Sequence, residues 1–361
     1  MSLPISSTEA PGRAGTATGM LWAHRWFLGA ILAYCVIVAL VSSLYGRALE
    51  FSLGLYTGPF AILAFTFCFG FLLLHVLKVM VLERPKHLTA TILGQLRHNI
   101  LTKERLLPAL LVIVVIPLFI SAFTSFKALI PAIHPFSWDP AFAAWDRALH
   151  GGLDPWRLMH PVLGTPAVTS AINALYHAWY FVFYGVLFWQ AFSLARPVLR
   201  MRFLISFVLT WAILGSLFAV LLSSAGPVYY GRVTGLEDPY RELMAYLALA
   251  DSQTGVMALN VQELLWESYQ QNNTGFGSGI SAMPSVHVGL TVLLALVGWQ
   301  ANRMLGWGLI LFAVAIQIGS VHLGWHYAID GYLATLLTIL IWWAVGWFVQ
   351  RFGGLAEVRT G

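Results

Sequence analysis

The sequence predicts an all-α fold, a polytopic bundle of about eight transmembrane helices forming one membrane domain. Three observations carry this. Of the 361 residues, 59% are hydrophobic and only 10% charged, a balance that excludes an ordinary soluble surface. Apolar runs of the roughly 20 residues needed to span a bilayer recur eight times along the chain. The 15 tryptophans are of the residue type that collects where hydrocarbon meets the wet headgroup layer.

Taken in order, residues 1–25, rich in Ser, Thr, Gly and Ala at their start, read as a disordered cytoplasmic tail. With no obvious cleavage site after it, the first apolar run is expected to stay as an uncleaved helix. That run covers 26–46, and a second covers 58–82. A basic loop reaching residue 105 leads to the third helix at 106–130, and the fourth is at 166–193. The last four follow at 203–224, 285–301, 304–324 and 328–350, and 351–361 forms a second cytoplasmic tail.

Orientation follows from Lys and Arg, which cytoplasmic loops retain. Arg84, Lys86, Arg97, Lys103 and Arg105 follow the second helix, and Arg196, Arg200 and Arg202 follow the fourth. Alternation then places 131–165 and 225–284 outside and both termini in the cytoplasm, in agreement with Arg351 and Arg359. Within the long outer loop, Thr254 to Tyr269 carries Met257, Val261, Leu264 and Leu265 at helical spacing, the pattern of a helix lying along the interface. Compact loops and an uncleaved N-terminus fit a bacterial inner membrane with the outer loops in the periplasm; a lumenal arrangement has the same topology.

The formal net charge of +5 does not indicate nucleic acid, because the basic residues are scattered at helix ends and form no run. Cys35 and Cys68 lie within apolar segments, where a thiol behaves as a small hydrophobe. They support neither a disulfide framework nor a cysteine metal site.

Three polar stretches interrupt the apolar pattern, all on the outer side: Gly226–Arg232, Ser281–His287 and His322–Asp330. Ionisable groups at membrane depth are costly and mark function. His326 and Asp330, four apart, share a helical face. The carboxylate can hold one imidazole nitrogen protonated while the other attacks, and His287 can then serve as acid and base. The chemistry these groups suit is phosphoryl transfer. His322, His326 and Asp330 at successive spacings of four also suggest a metal-binding face, but a fourth ligand is missing, Pro284-Ser285 is left unexplained, and Gly324-Trp325 points to a helix end between the two histidines. No metal is assigned.

These residues resemble the type 2 phosphatidic acid phosphatase (PAP2) superfamily. Its Pro-Ser-x-His element is matched by Pro284-Ser285-Val286-His287, and its His-x-x-x-Asp element by His326 and Asp330. The His326-Tyr327-Ala328-Ile329-Asp330 form, with Gly226-Pro227-Val228-Tyr229-Tyr230, is similar to the lipid phosphotransferase branch that includes inositol phosphorylceramide synthases. The resemblance spans roughly residues 120 to 345. It implies a six-helix catalytic core, placed at 106–350, with two extra N-terminal helices in 26–105. It also implies catalysis by His326, His287 and Asp330 without cofactor or metal. The implied partners are a phospholipid donor, a lipid acceptor and the bilayer, with no nucleic acid and no protein partner.

The chain departs from the phosphatase pattern, in which Ser-Arg precedes the nucleophilic histidine by seven and six residues; here Gly319-Ser320 stands there. Ser285, Arg232, Lys127 and His322 are the substitute phosphate ligands, and Gly275–Gly279 and the helix start at Ser285 can offer backbone N–H groups. The expected activity is transfer of a phosphoryl head group, such as inositol phosphate, to a lipid hydroxyl such as that of ceramide, through a phosphohistidine. A phosphatase using water on phosphatidic acid or a polyprenyl diphosphate, and a proton-coupled lipid transporter, are the alternatives.

Overall fold

The computed structural model describes residues 17–275 and 277–353. Residues 1–16 and 354–361, which hold most of both expected tails, lie outside the described residues. Ala17–Ala23 is helical, so a disordered tail does not extend to residue 25.

All the regular elements among the described residues are helical. Seven are long and apolar enough to cross a membrane: α1 (Arg25–Leu44), α2 (Thr57–Glu83), α3 (Lys103–Ile133), α6 (Pro166–Phe192), α7 (Pro197–Leu221), α11 (Arg303–His322) and α12 (Ala328–Phe352). The eighth expected helix is α10 (Val286–Ala301), apolar but only 16 residues long. At 1.5 Å per residue it reaches about 24 Å. The protein is an integral membrane helical bundle.

Local chemistry sets the helix ends. Asn302 separates α10 from α11, its Oδ1 accepting the Met304 and Leu305 N–H groups. Gly298 and Gly306 let these two helices touch: a Cβ on Gly306 would lie 2.7 Å from Trp299 Cα. Thr165 caps α6, with Pro166 in the first helical position. Gly324, at φ +73°, follows the end of α11.

The two N-terminal helices pack into the same core as the rest. Phe60 meets Tyr184 and Phe188, Tyr34 Oη bonds Ser216 Oγ at 2.7 Å, and the α1–α2 turn docks on α3 through Ser52 N–H to Ser125 and Tyr56 N–H to Ser121. On the opposite face the buried Arg200 donates to the Gln190, Ala191 and Pro108 carbonyls and sits 2.8 Å from His24 Nε2.

Among the described residues, the shorter helices in the loops include α4 (Asp139–Leu149), α5 (Pro155–Leu163), α8 (Arg241–Thr254) and α9 (Met257–Gln270). The helix expected over Thr254 to Tyr269 forms as α9. Met257 and Leu264 are exposed, while Ala258 and Gln262 are buried. Polar bonds set this orientation: Gln262 Nε2 donates to the Leu323 carbonyl and the Gln262 carbonyl accepts from Tyr229 Oη.

Candidate active site

The start of α10, the end of α11 and the start of α12 meet at the loop face. Ser285 N–H donates to the Asp330 carbonyl at 3.2 Å, and Trp325 and His326 N–H groups both donate to the Ser320 carbonyl. The chain therefore reverses tightly after α11 and returns His326 to the base of the Pro-Ser-Val-His segment, whose Met283–Pro284 bond is cis.

His326 Nδ1 lies 3.1 Å from Asp330 Oδ2. The same carboxylate oxygen accepts the Tyr327 N–H, also at 3.1 Å, and so caps α12 while orienting the imidazole. Asp330 is fully buried. With Nδ1 engaged, Nε2 is the imidazole nitrogen left to react. The His287 ring centroid is 6.5 Å from that of His326, close enough for both rings to touch one phosphoryl group. His287 itself is held by aromatic faces: Tyr176 stacks on it at 5.4 Å and Trp179 lies 4.5 Å away. Of Trp179-Tyr180-Phe181, expected to be belt and packing residues, Tyr180 and Phe181 are exposed, whereas Trp179 is buried against His287.

Lys127, on the last turns of α3, lies within electrostatic reach of His287 and makes no hydrogen bond or ion pair with another described residue. Gly279, at φ +91°, packs its backbone on Lys127; a Cβ there would sit 2.9 Å from Lys127 Cγ and 3.1 Å from Ala128 N. The position of the phosphatase arginine is Ser320, fully buried with its hydroxyl on the Gln317 carbonyl. Lys127 is a cation whose charge reaches His287.

The other expected phosphate ligands are engaged elsewhere. Arg232 forms a two-point ion pair with Glu263, at 3.3 and 2.8 Å, on an exposed surface beside Trp266. His322 does not join the His287–His326 pair: its Nε2 is 2.9 Å from Thr169 Oγ1, and its ring meets His160 and Tyr246. This also parts His322 from His326 as common metal ligands; no group of three or more His, Cys, Asp or Glu among the described residues is arranged to hold a metal ion. The Gly275 and Gly277 N–H groups donate to Ser278 Oγ and Tyr56 Oη, so this glycine segment spends these donors internally. Ser285 is fully buried; its Oγ caps α10 through the Val288 N–H, leaving the first-turn amides of Val286 and His287, which have no intrahelical acceptor, as the backbone donors.

Two carboxylates that the sequence did not single out hold the site together. Asp139 and Asp146 are seven apart on the buried face of α4. Asp139 accepts from Ser224 Oγ (2.8 Å), Ala225 N–H (2.9 Å), Gly226 N–H (2.8 Å) and Tyr327 Oη (2.9 Å). Burial and the Asp139 charge push the Tyr327 phenol well above its usual pKa, which keeps it a donor. Asp146 accepts the Ala328 and Ile329 N–H groups at the start of α12, and burial raises its pKa against their pull. The Gly226–Tyr230 segment is clamped to the turn before His326 in addition by Val228 N–H to the Gly324 carbonyl at 3.0 Å. The sequence signal was an i, i+7 pair of acids on a short amphipathic stretch.

The PAP2 superfamily pattern matches residues 140–344, more than half of the chain and all of the site except Asp139 and Lys127. The protein belongs to the PAP2 superfamily. No curated protein sequence and no solved structure matches it. The matched region starts inside α4 and ends within α12, so it takes in the expected membrane phosphatase and phosphotransferase fold and leaves α1, α2 and α3 outside.

Proposed function

We propose that this PAP2 protein is a lipid phosphotransferase that moves a phosphoryl head group from a phospholipid donor to a lipid hydroxyl through a phosphohistidine on His326. The observation that carries the reading is the His326 Nδ1–Asp330 Oδ2 contact of 3.1 Å with the His287 ring 6.5 Å away and the unpaired Lys127 beside it.

His326 Nε2 attacks the donor phosphorus, and the bond from phosphorus to the diacylglycerol oxygen breaks with its electron pair on that oxygen. His287 supplies the proton that oxygen takes up. The acceptor hydroxyl then attacks phosphorus, gives its proton to His287, and the N–P bond breaks. Asp330 fixes the nucleophile's tautomer and supports the positive ring that forms. Lys127 and the amides at the start of α10 offset the charge on the phosphoryl oxygens. A lipid acceptor suits the mouth of such a site within a bilayer, and the replacement of the phosphatase arginine by buried Ser320 favours transfer over hydrolysis. The setting we assign is a bacterial inner membrane with the loop face in the periplasm.

The test is turnover of a phospholipid donor by detergent-purified protein with and without a lipid alcohol such as ceramide. Transfer predicts that the alcohol raises donor consumption and appears as product. His326→Ala and Asp330→Asn should each lower kcat at least a hundredfold, and acid-labile phosphate on the protein should vanish in His326→Ala alone. Full-rate head-group release into water, or activity surviving in His326→Ala, would overturn the reading.

A further inference from the structure

The family pattern leaves α1 and α2 outside it, yet the turn between them reaches the segment that leads into Pro284-Ser285. Arg47 donates to Glu50 Oε2 at 3.2 Å and to Asn272 Oδ1 at 2.8 Å, and Glu50 Oε2 accepts the Thr274 hydroxyl at 3.1 Å. Tyr56, buried just before α2, accepts the Gly277 N–H at 2.9 Å and the Thr124 hydroxyl of α3 at 3.3 Å on its phenol oxygen. The contacts to Asn272, Thr274 and Gly277 span 225, 224 and 221 residues, so they are made by the fold and not by local chain geometry.

The segment they reach needs anchors. Asn272, Gly277 and Gly279 all have positive φ, at 51°, 74° and 91°, so the chain there has no helix or strand ladder to hold its shape. Its internal bonds, Gly275 N–H to Ser278 Oγ and Ser278 N–H to the Gly275 carbonyl, close a small ring without tying it to α3. Tyr56 supplies that tie, because its own N–H is fixed to Ser121 of α3, as the Ser52 N–H is to Ser125. Lys127 follows Ser125 by two residues. The Gly279 backbone packs on it: a Cβ there would meet Lys127 Cγ at 2.9 Å and the Lys127 carbonyl carbon at 3.0 Å. A lysine stem has many rotamers open to it. Backbone held against its Cγ restricts the path of an ammonium whose charge reaches His287.

We infer that Tyr56, backed by Arg47 and Glu50, is a positioning residue that sets Lys127 against the substrate phosphoryl group through the backbone of residues 277–279, so that the N-terminal helix pair tunes how tightly the site holds phosphate. This rests on Lys127 acting as a phosphate ligand in the phosphotransfer reading, and it gives the two added helices a part in that chemistry.

The experiment is a double-mutant cycle on the purified full-length protein with Tyr56→Phe and Lys127→Met, read by calorimetric binding of inorganic phosphate and by donor kcat/KM. Tyr56→Phe removes one acceptor and keeps the ring; Glu50→Ala loosens the same segment from its other anchor. Tyr56→Phe should weaken phosphate binding and lower kcat/KM about fivefold, and Lys127→Met about tenfold. The double variant should be no worse than Lys127→Met alone, because the tyrosine acts through the lysine. A double variant down about fiftyfold, the product of two independent effects, overturns the positioning role while leaving Lys127 a phosphate ligand. So does a lower melting temperature in Tyr56→Phe and Glu50→Ala with phosphate affinity and kcat/KM unchanged. Lys127→Met that binds phosphate and turns over donor like wild type removes Lys127 from the site and the inference with it. Coupled loss of phosphate binding in a protein that turns over no lipid sustains the positioning and sinks the phosphotransfer reading. A wild type with neither binding nor turnover defeats both.

Discussion

Replacing Asp139 by asparagine removes one acceptor from a carboxylate that four donors share. Ser224 Oγ, Gly226 N–H and Tyr327 Oη bond Oδ1, and Ala225 N–H bonds Oδ2. An amide oxygen in the Oδ1 position keeps three of these, but the amide nitrogen then faces the Ala225 N–H, donor against donor. An orphaned buried donor costs about 1–3 kcal/mol, and the three retained bonds lose the charge assistance that roughly doubles their strength. A total near 3 kcal/mol follows, a drop on the order of 5 °C in melting temperature for a chain of this size. Because Tyr327 adjoins His326, loosening the clamp should also misplace the nucleophile and lower turnover by about 10-fold to 100-fold. Thermal unfolding in detergent, followed by tryptophan fluorescence, reads the first effect and donor turnover the second. Wild-type melting and wild-type turnover together in Asp139→Asn would refute the clamp; a lower melting temperature with normal kcat would confine Asp139 to stability.

Gly226→Ala should destabilise by about 2–4 kcal/mol, since φ is +93° and the new Cβ would sit 2.6 Å from the Trp325 carbonyl oxygen; Gly235→Ala, at φ +65° with nothing within 4 Å, carries only the backbone cost and is the control in the same melting assay. His24 is held neutral, burial and then the Arg200 charge pushing its pKa from 6.5 down to about 4. Its folded pKa lies below the unfolded value, so the Arg200–His24 contact is fully stabilising above pH 6.5 and is lost as pH falls toward 4, on the order of 3 kcal/mol at about 1.36 kcal/mol per pH unit. Melting at pH 7.5 and 4.5 should show a larger acid loss in wild type than in His24→Gln, and equal losses would reject this assignment.

The helices were legible because hydrophobicity is a local property. The run at 304–324 became Arg303–His322 and the one at 328–350 became Ala328–Phe352, with Asn302 and Gly324 marking stops by chemistry that reads the same in sequence and space. His287, His326 and Asp330 were equally legible: spacing of four puts the last two on one face, and parity of helix crossings brings the first to the same end of the bundle. The loop helices α4, α5 and α8 were not, because their short amphipathic patterns carry little signal beside 20-residue apolar runs.

Which phosphate-ligand candidate stands free was a question of partners, and partners come from distant parts of the chain. Arg232 and Lys127 look alike as isolated cations in outer segments. Folding gives Arg232 to Glu263, 31 residues on, and leaves Lys127 beside a histidine 160 residues away. Asp139 and Tyr327, 188 apart, illustrate the same rule from the other side: neither residue announces a role until the bundle closes. By itself, then, the sequence determined a membrane-embedded helical bundle and the meeting of His287, His326 and Asp330 at one end of it, because apolar length, short-range spacing and the parity of crossings suffice for those. The tertiary structure alone decided which charges are spent in pairing and which carboxylates hold the turn that carries His326, because each depends on groups brought together only by packing.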